Sequence, residues 1–186
     1  FSTKGLELLE HIQEEIDRIS MVITRIDYHD KIRTLQHPIA LQRIKKLKRH
    51  VNKIELIHLL GISSYFHFSG HYKKDIEKNG WELFDDLFTS SDIQKISKSP
   101  EFIFSNTCGG SSEFFISSFL NKGSKSIIAS LGNLPSKKAA EFSQIFYKYF
   151  IINNFNLGES FFLSKRDMIN SYGKKDLFWC FYQIYG

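Results

Sequence analysis

The chain has 186 residues, 42% of them apolar and 24% charged, and its 25 Lys and Arg outnumber 20 Asp and Glu for a formal net charge of +5. A chain of this length buries about 70% of its unfolded surface in one core, and the composition excludes a disordered tail, a collagen and a disulfide-stapled miniprotein. We therefore expect a single domain over residues 1–186, with a charge surplus too small to imply nucleic acid unless it gathers on one face.

From Gly5 to Ser20, Leu8, Leu9, Ile12, Ile16 and Ile19 recur at spacings of three and four among charged residues, the pattern of an amphipathic helix. Met21 to Ile26 reads as a β-branched strand. Pro38 suits the first turn of a second helix, whose stripe of Leu41, Ile44, Leu47, Val51, Ile54, Ile57 and Leu60 stops at Gly61. Tyr65 to Ser69 is a short aromatic strand ending in Gly70-His71, and Glu101 to Thr107 another, ending in Cys108-Gly109-Gly110. Ser111 or Ser112 caps a helix through Leu120; Ser126 to Leu131 is a buried strand, and Gly132 to Pro135 its exit loop. A helix after Ser136 turns Ala139, Ala140, Phe142, Ile145, Phe146 and Tyr149 inward. A further helix spans Glu159 to Tyr172, and a last strand Phe178 to Tyr185.

Strands alternating with helices predict a three-layer α/β fold, a mostly parallel sheet with helices on both faces. In such sheets chemistry collects beyond the carboxyl ends of the strands, where His71 and Cys108 both fall. Taken alone, a cysteine with apolar neighbours is an ordinary core residue and a histidine after a strand an ordinary turn residue. Together they carry complementary chemistry. A thiol attacks a carbonyl as thiolate, so it needs a base or positive field beside it and donors for the oxyanion. Cys108 precedes two glycines that let a substrate backbone approach and a helix whose N-terminal end favours an anion. If the intervening stretch is one crossover, the two strand ends are neighbours and the imidazole reaches the thiol.

The runs Phe66-His67-Phe68-Ser69-Gly70-His71 and Phe102-Ile103-Phe104-Ser105-Asn106-Thr107-Cys108 resemble the two active-site strands of the CHAT proteases, caspase-like cysteine peptidases related to separase. Downstream, Ile127 to Gly132, Ala139 to Phe142 with Phe146-Tyr147, Gly158-Glu159-Ser160 and Leu177 to Gly186 resemble that family's later elements, so the likeness covers about residue 40 to the end and residues 1–40 only weakly. The resemblance implies a caspase-like fold, Cys108 as nucleophile and His71 as its partner. It places the backbone N–H groups of Cys108 and Tyr72 in the oxyanion hole, and an extended substrate along Ser130, Leu131, Gly132 and Asn133 by β-augmentation. It further implies a bacterial effector that cleaves a protein partner in antiphage defence or programmed cell death, kept dormant until a sensor domain or subunit binds its signal. Two positions depart from the family pattern. Tyr72 stands where the family has Gly, a side chain that would narrow the cleft or alter the turn, and the loop at Gly132-Asn133 lacks the family's Trp.

Asp75, Glu77, Asp85 and Asp86 are candidates for an acidic pocket that takes a basic substrate residue, or are solvated loop acids. Lys31 to Lys53 is basic, but its charges interleave with a helix stripe and no aromatic platform accompanies them, so a docking face for a missing domain competes with nucleic-acid contact. The 18 Phe and 8 Tyr mostly fall at inward positions and read as core, as does Cys180 between Trp179 and Phe181. His67 has no companions that would make a metal site, and the chemistry asks for no cofactor. With unpaired cysteines, no leader and no run approaching about 18 apolar residues, a cytoplasmic location away from membranes is expected. Phe1 in place of Met and the end at Gly186 suggest a piece of a longer chain. A catalytically inactive caspase-like scaffold and a nucleic-acid-binding module remain the alternatives to a peptidase.

Overall fold

The computed structural model describes residues 51–75, 78–84, 86–108 and 112–186. The helix expected over 5–20, the strand over 21–26, the start of the helix at Pro38 and the basic stretch before Lys53 lie outside the described residues. Those described form two compact units, a sheet unit of residues 51–134 with Phe181–Gly186 and a helical unit, Pro135–Cys180.

In the sheet unit, Asn52 is extended (φ −85°, ψ 167°) and its side chain accepts a hydrogen bond from the Glu55 N–H, so it caps a helix, α1 (Lys53–Ile62). The stripe begun at Leu41 therefore does not continue as one helix to Leu60: an asparagine that caps the next turn interrupts it. Gly61, expected as a stop, lies inside α1. A Cβ there would meet Ser97 Oγ at 2.7 Å, so its bareness serves close packing.

The elements that follow are β1 (Tyr65–Lys74), β2 (Asn79–Glu82), β3 (Leu87–Thr89), the short α2 (Ser90–Ile93), β4 (Phe102–Cys108), α3 (Glu113–Asn121) and β5 (Ser126–Ser130), with β6 (Tyr182–Tyr185) closing the unit. The sheet order is β3-β2-β1-β4-β5-β6. The fold is α/β, but the sheet is mixed rather than mostly parallel. Only β1, β4 and β5 run parallel, while β2, β3 and β6 are each antiparallel to their neighbours. The physical reason lies in β1. It does not end at Gly70-His71 but runs on to Lys74, giving the β2–β3 hairpin an edge to pair with, and this hairpin with α2 carries the chain to β4 in place of a single crossover helix. The strand expected from Phe178 is likewise divided into a 3-10 turn, Leu177–Cys180, and the short β6.

One face of the sheet packs against α1 and α3. Trp81 lies at the centre of that core with no exposed surface. Its indole stacks on Phe68 at 4.4 Å and on Phe88 at 5.6 Å, meets Phe115 and Phe119 at 5.2 and 5.3 Å, and donates its N–H to Ser105 Oγ at 3.0 Å. Phe66, Phe68 and Tyr72 of β1 and Ile103 of β4 share this face. By strand alternation their neighbours in sequence share the other.

In the helical unit, α4 (Ser136–Tyr147) runs into a π-helical turn, Lys148–Ile152, and Asn156 caps α5 (Leu157–Tyr172) reciprocally with Glu159. Phe142 meets Phe161 and Phe178 edge-on at 6.0 and 6.5 Å, and Lys138 binds Asp176 while lying 4.7 Å over the Tyr172 ring.

Candidate active site

Strands β1 and β4 are parallel and in register from Tyr65↔Phe102 to His71↔Cys108. Paired residues of neighbouring strands sit about 5 Å apart with side chains on the same face. The face opposite Trp81 thus carries a ladder of side-chain pairs. Tyr65 meets Phe102 edge-on at 6.2 Å, the His67 ring packs on Phe104 at 4.9 Å, Ser69 stands opposite Asn106, and His71 opposite Cys108. An imidazole and a thiol, distant in sequence, therefore stand side by side at the last pair of the parallel β1–β4 register, at the end of β4 and three residues before the end of β1, both half-buried. No described residue hydrogen-bonds the His71 ring. The thiol donates to the Leu134 carbonyl at 3.5 Å. That carbonyl suits S–H and offers nothing to a thiolate, so attack requires the sulfur to leave it.

The register also decides where the two expected oxyanion donors point. The Phe102 N–H donates to the Ser64 carbonyl at 3.2 Å, which sets the phase of the ladder. The same phase, stepped two residues at a time, aims the Cys108 N–H at the Gly70 carbonyl and the Tyr72 N–H at the Cys108 carbonyl. Both donors lie within the sheet, and they face a substrate only once this last rung opens. The Tyr72 side chain does not narrow the site. It turns to the opposite face, nearly buried against Phe115 at 5.3 Å.

The expected substrate edge is partly closed. Ser130 is buried, pairs with Tyr182 and donates its hydroxyl to the Thr107 carbonyl at 2.5 Å, while the Leu131 N–H donates to the Phe181 carbonyl at 2.7 Å. β6 thus occupies the edge along which Ser130 and Leu131 were expected to hold a peptide, because the chain's last strand returns antiparallel to β5. Gly132 and Asn133 lie in the loop beyond that pairing, just before Leu134. Gly109, Gly110, Glu77 and Asp85 lie outside the described residues.

A cavity of about 360 Å³, lined among others by Lys53, Lys78, Asn79, Asp86, Thr89 and Asp92, opens in the sheet unit without including His71 or Cys108. It is not an acidic pocket. Lys53 bonds Asp86 at 2.6 Å and Asp92 at 3.3 Å, and Lys95 holds Asp92 at 2.7 Å. Burial works to raise the Asp92 carboxyl. Hydrogen bonds from Lys95 and Thr89, with the Lys53 charge, outweigh it and hold the group at about 2, below the usual 3.8. A depressed folded-state value stabilises the fold above the unfolded value of 3.8, and this contribution is lost as pH falls through about 2. In thermal melts at pH 7, Asp92→Asn is expected to be less stable by about 1–3 kcal/mol. The gap should close between about pH 4 and about pH 2; a gap that persists at the acid end would remove the charge from the explanation.

Two participants, Asn106 and Asn79, escape a reading of the sequence, and Ser112 was read only as a helix cap. Asn106, two residues before Cys108 on the same face, accepts a hydrogen bond from the Tyr182 hydroxyl. Asn79 and Ser112 gather on Tyr72 across the opposite face. The only signal for Asn106 was a polar residue in an otherwise apolar alternation, and none marked Asn79. Among the described residues no group of three or more His, Cys, Asp or Glu side chains is assembled to hold a metal, and no helix is long and apolar enough to cross a membrane. No model of a known protein family matches the chain, and no curated protein is detectably similar to it in sequence.

Proposed function

We propose that the chain is a cysteine-type endopeptidase domain of caspase-like layering that uses Cys108 as nucleophile and His71 as its proton carrier. The observation that carries the reading is the in-register pair His71↔Cys108, on one face where the parallel pairing of β1 with β4 ends. In the proposed cycle the thiol leaves the Leu134 carbonyl, its proton passes to the imidazole, and sulfur bonds to the substrate's carbonyl carbon. The imidazolium protonates the departing amine nitrogen as the C–N bond breaks, leaving a thioester. Water, deprotonated by the imidazole, then releases the acid and restores the thiol. The oxyanion is received by the Cys108 and Tyr72 N–H groups when the last ladder rung opens. The substrate is a protein partner bound as an extended segment. By the family resemblance, the domain is a bacterial effector, cytoplasmic, active in antiphage defence or programmed death, and released by a sensor domain or subunit.

A peptidyl electrophile carrying a reporter group tests the chemistry. It is expected to modify Cys108 in the wild-type chain and to lose that labelling in His71→Ala. Labelling that ignores the histidine would leave an ordinary thiol.

A second reading, an inactive scaffold, is favoured by the same sulfur being bonded to Leu134 and by both backbone donors lying in the ladder. It predicts no labelling beyond that of a simple thiol under any activating condition. For nucleic-acid binding, the described part of the basic stretch is Lys53, and its ammonium is bonded to Asp86 and Asp92.

A further inference from the structure

The connection that leaves Cys108 is fastened at both ends to consecutive residues of β1. Its first residue pairs with His71, and its last, Ser112, is bonded to the Tyr72 hydroxyl at 2.8 Å on the other face of the sheet. The Tyr72 hydroxyl also donates to Asn79 Oδ1 at 3.0 Å, and Ser112 Oγ accepts from the Phe115 N–H at 3.2 Å, capping α3. The Ser112 hydroxyl also donates to Asn79 Oδ1 at 3.4 Å, so Tyr72, Asn79 and Ser112 form one hydrogen-bonded cluster. The cluster links the Phe115 amide at the start of α3, through Ser112, to Tyr72 of β1 and Asn79 of β2. Tyr72 is only 5% exposed and its ring rests on Phe115, so the hydroxyl is held within this cluster.

We propose that the Tyr72 hydroxyl is a positioning group for the Cys108 nucleophile, holding the N-terminal end of α3 and the strand end bearing His71 at a fixed separation from the sulfur. The inference rests on the peptidase reading. A phenyl ring in place of the phenol keeps the packing and removes only the link between β1, β2 and the helix that follows the thiol. Small displacements of a reacting pair cost rate steeply, because the proton and the electron pair must move along a short aligned path.

Iodoacetamide alkylation of the full chain, followed thiol by thiol by peptide mass spectrometry, reads this out without a substrate. Cys180 lies in the helical unit and serves as the internal control. In Tyr72→Phe the Cys108 rate is expected to fall about fivefold or more while the Cys180 rate is unchanged. Asn79→Ala, which removes from β2 the acceptor that both Tyr72 and Ser112 reach, should act alike and leaves β1 untouched. His71→Ala reads the underlying assignment separately. If it leaves the Cys108 rate unchanged, the nucleophile reading fails and the inference falls with it. If it slows Cys108 while neither Tyr72→Phe nor Asn79→Ala does, the positioning role alone is overturned. Faster alkylation of both thiols in Tyr72→Phe would make the phenol a stabiliser of the fold and also overturn it.

Discussion

Replacing Cys108 by alanine is expected to abolish cleavage of a protein partner, lowering the rate at least about a thousandfold, and His71→Ala to do nearly the same. Without sulfur no thioester forms. Without the imidazole, the thiolate is not generated beside the carbonyl and the amine leaves unprotonated, which is the harder of the two bond-breaking steps. Because the two groups act as one unit, the double variant should be no worse than Cys108→Ala, a non-additivity that two independent structural residues would not produce. Both variants should retain the wild-type melting temperature within a few degrees, since the site is half-buried and the sulfur makes a weak hydrogen bond, to the Leu134 carbonyl at 3.5 Å. Quantitative cleavage assays on purified protein decide the matter. Full activity in Cys108→Ala would end the peptidase account.

The second large effect concerns the core. Trp81→Ala is expected to cost about 3–5 kcal/mol, because a fully buried indole leaves a void among Phe68, Phe88, Phe115 and Phe119 that rings of fixed shape fill poorly. Removing the indole also deletes the buried hydrogen bond that its N–H donates to Ser105 Oγ at 3.0 Å. Against a typical total stability of about 5–15 kcal/mol this is a large fraction. Trp81→Phe keeps most of the volume and loses the donor, and should cost about 1–3 kcal/mol. Urea unfolding followed by far-UV circular dichroism compares the three chains. If Trp81→Ala fell short of about 1 kcal/mol, the sheet unit would be organised around some other cluster.

Where local chemistry decides, the elements were legible. Of the two serines read as caps, Ser112 caps α3, and the apolar strings read at 101–107 and 126–131 form β4 (Phe102–Cys108) and β5 (Ser126–Ser130). The β2–β3 hairpin was not legible. Its strands are four and three residues long, too short to show alternation, and they exist because β1 extends past Gly70 and offers an edge. A Cβ on Gly80 would lie 2.0 Å from the Phe88 carbonyl, so the hairpin depends on a bare backbone at close approach, which composition does not reveal. The division of the last segment into a 3-10 turn and β6 likewise follows from which strand it meets.

By itself the sequence marked the residue types of the candidate site, His71 and Cys108 on two apolar strands, because hydrophobic patterning marks strands; it placed the end of β4 at Cys108 but not that of β1, which runs past His71 to Lys74. Tertiary structure alone decided the rest. Register aligned the imidazole with the sulfur and turned both backbone donors into the ladder, return of the chain as β6 closed the edge at Ser130 and Leu131, and alternation sent Tyr72 to the far face toward Asn79 and Ser112. These outcomes depend on which strands pair and in what phase. That choice is made by burial summed over the whole sheet, and no local stretch of residues contains it.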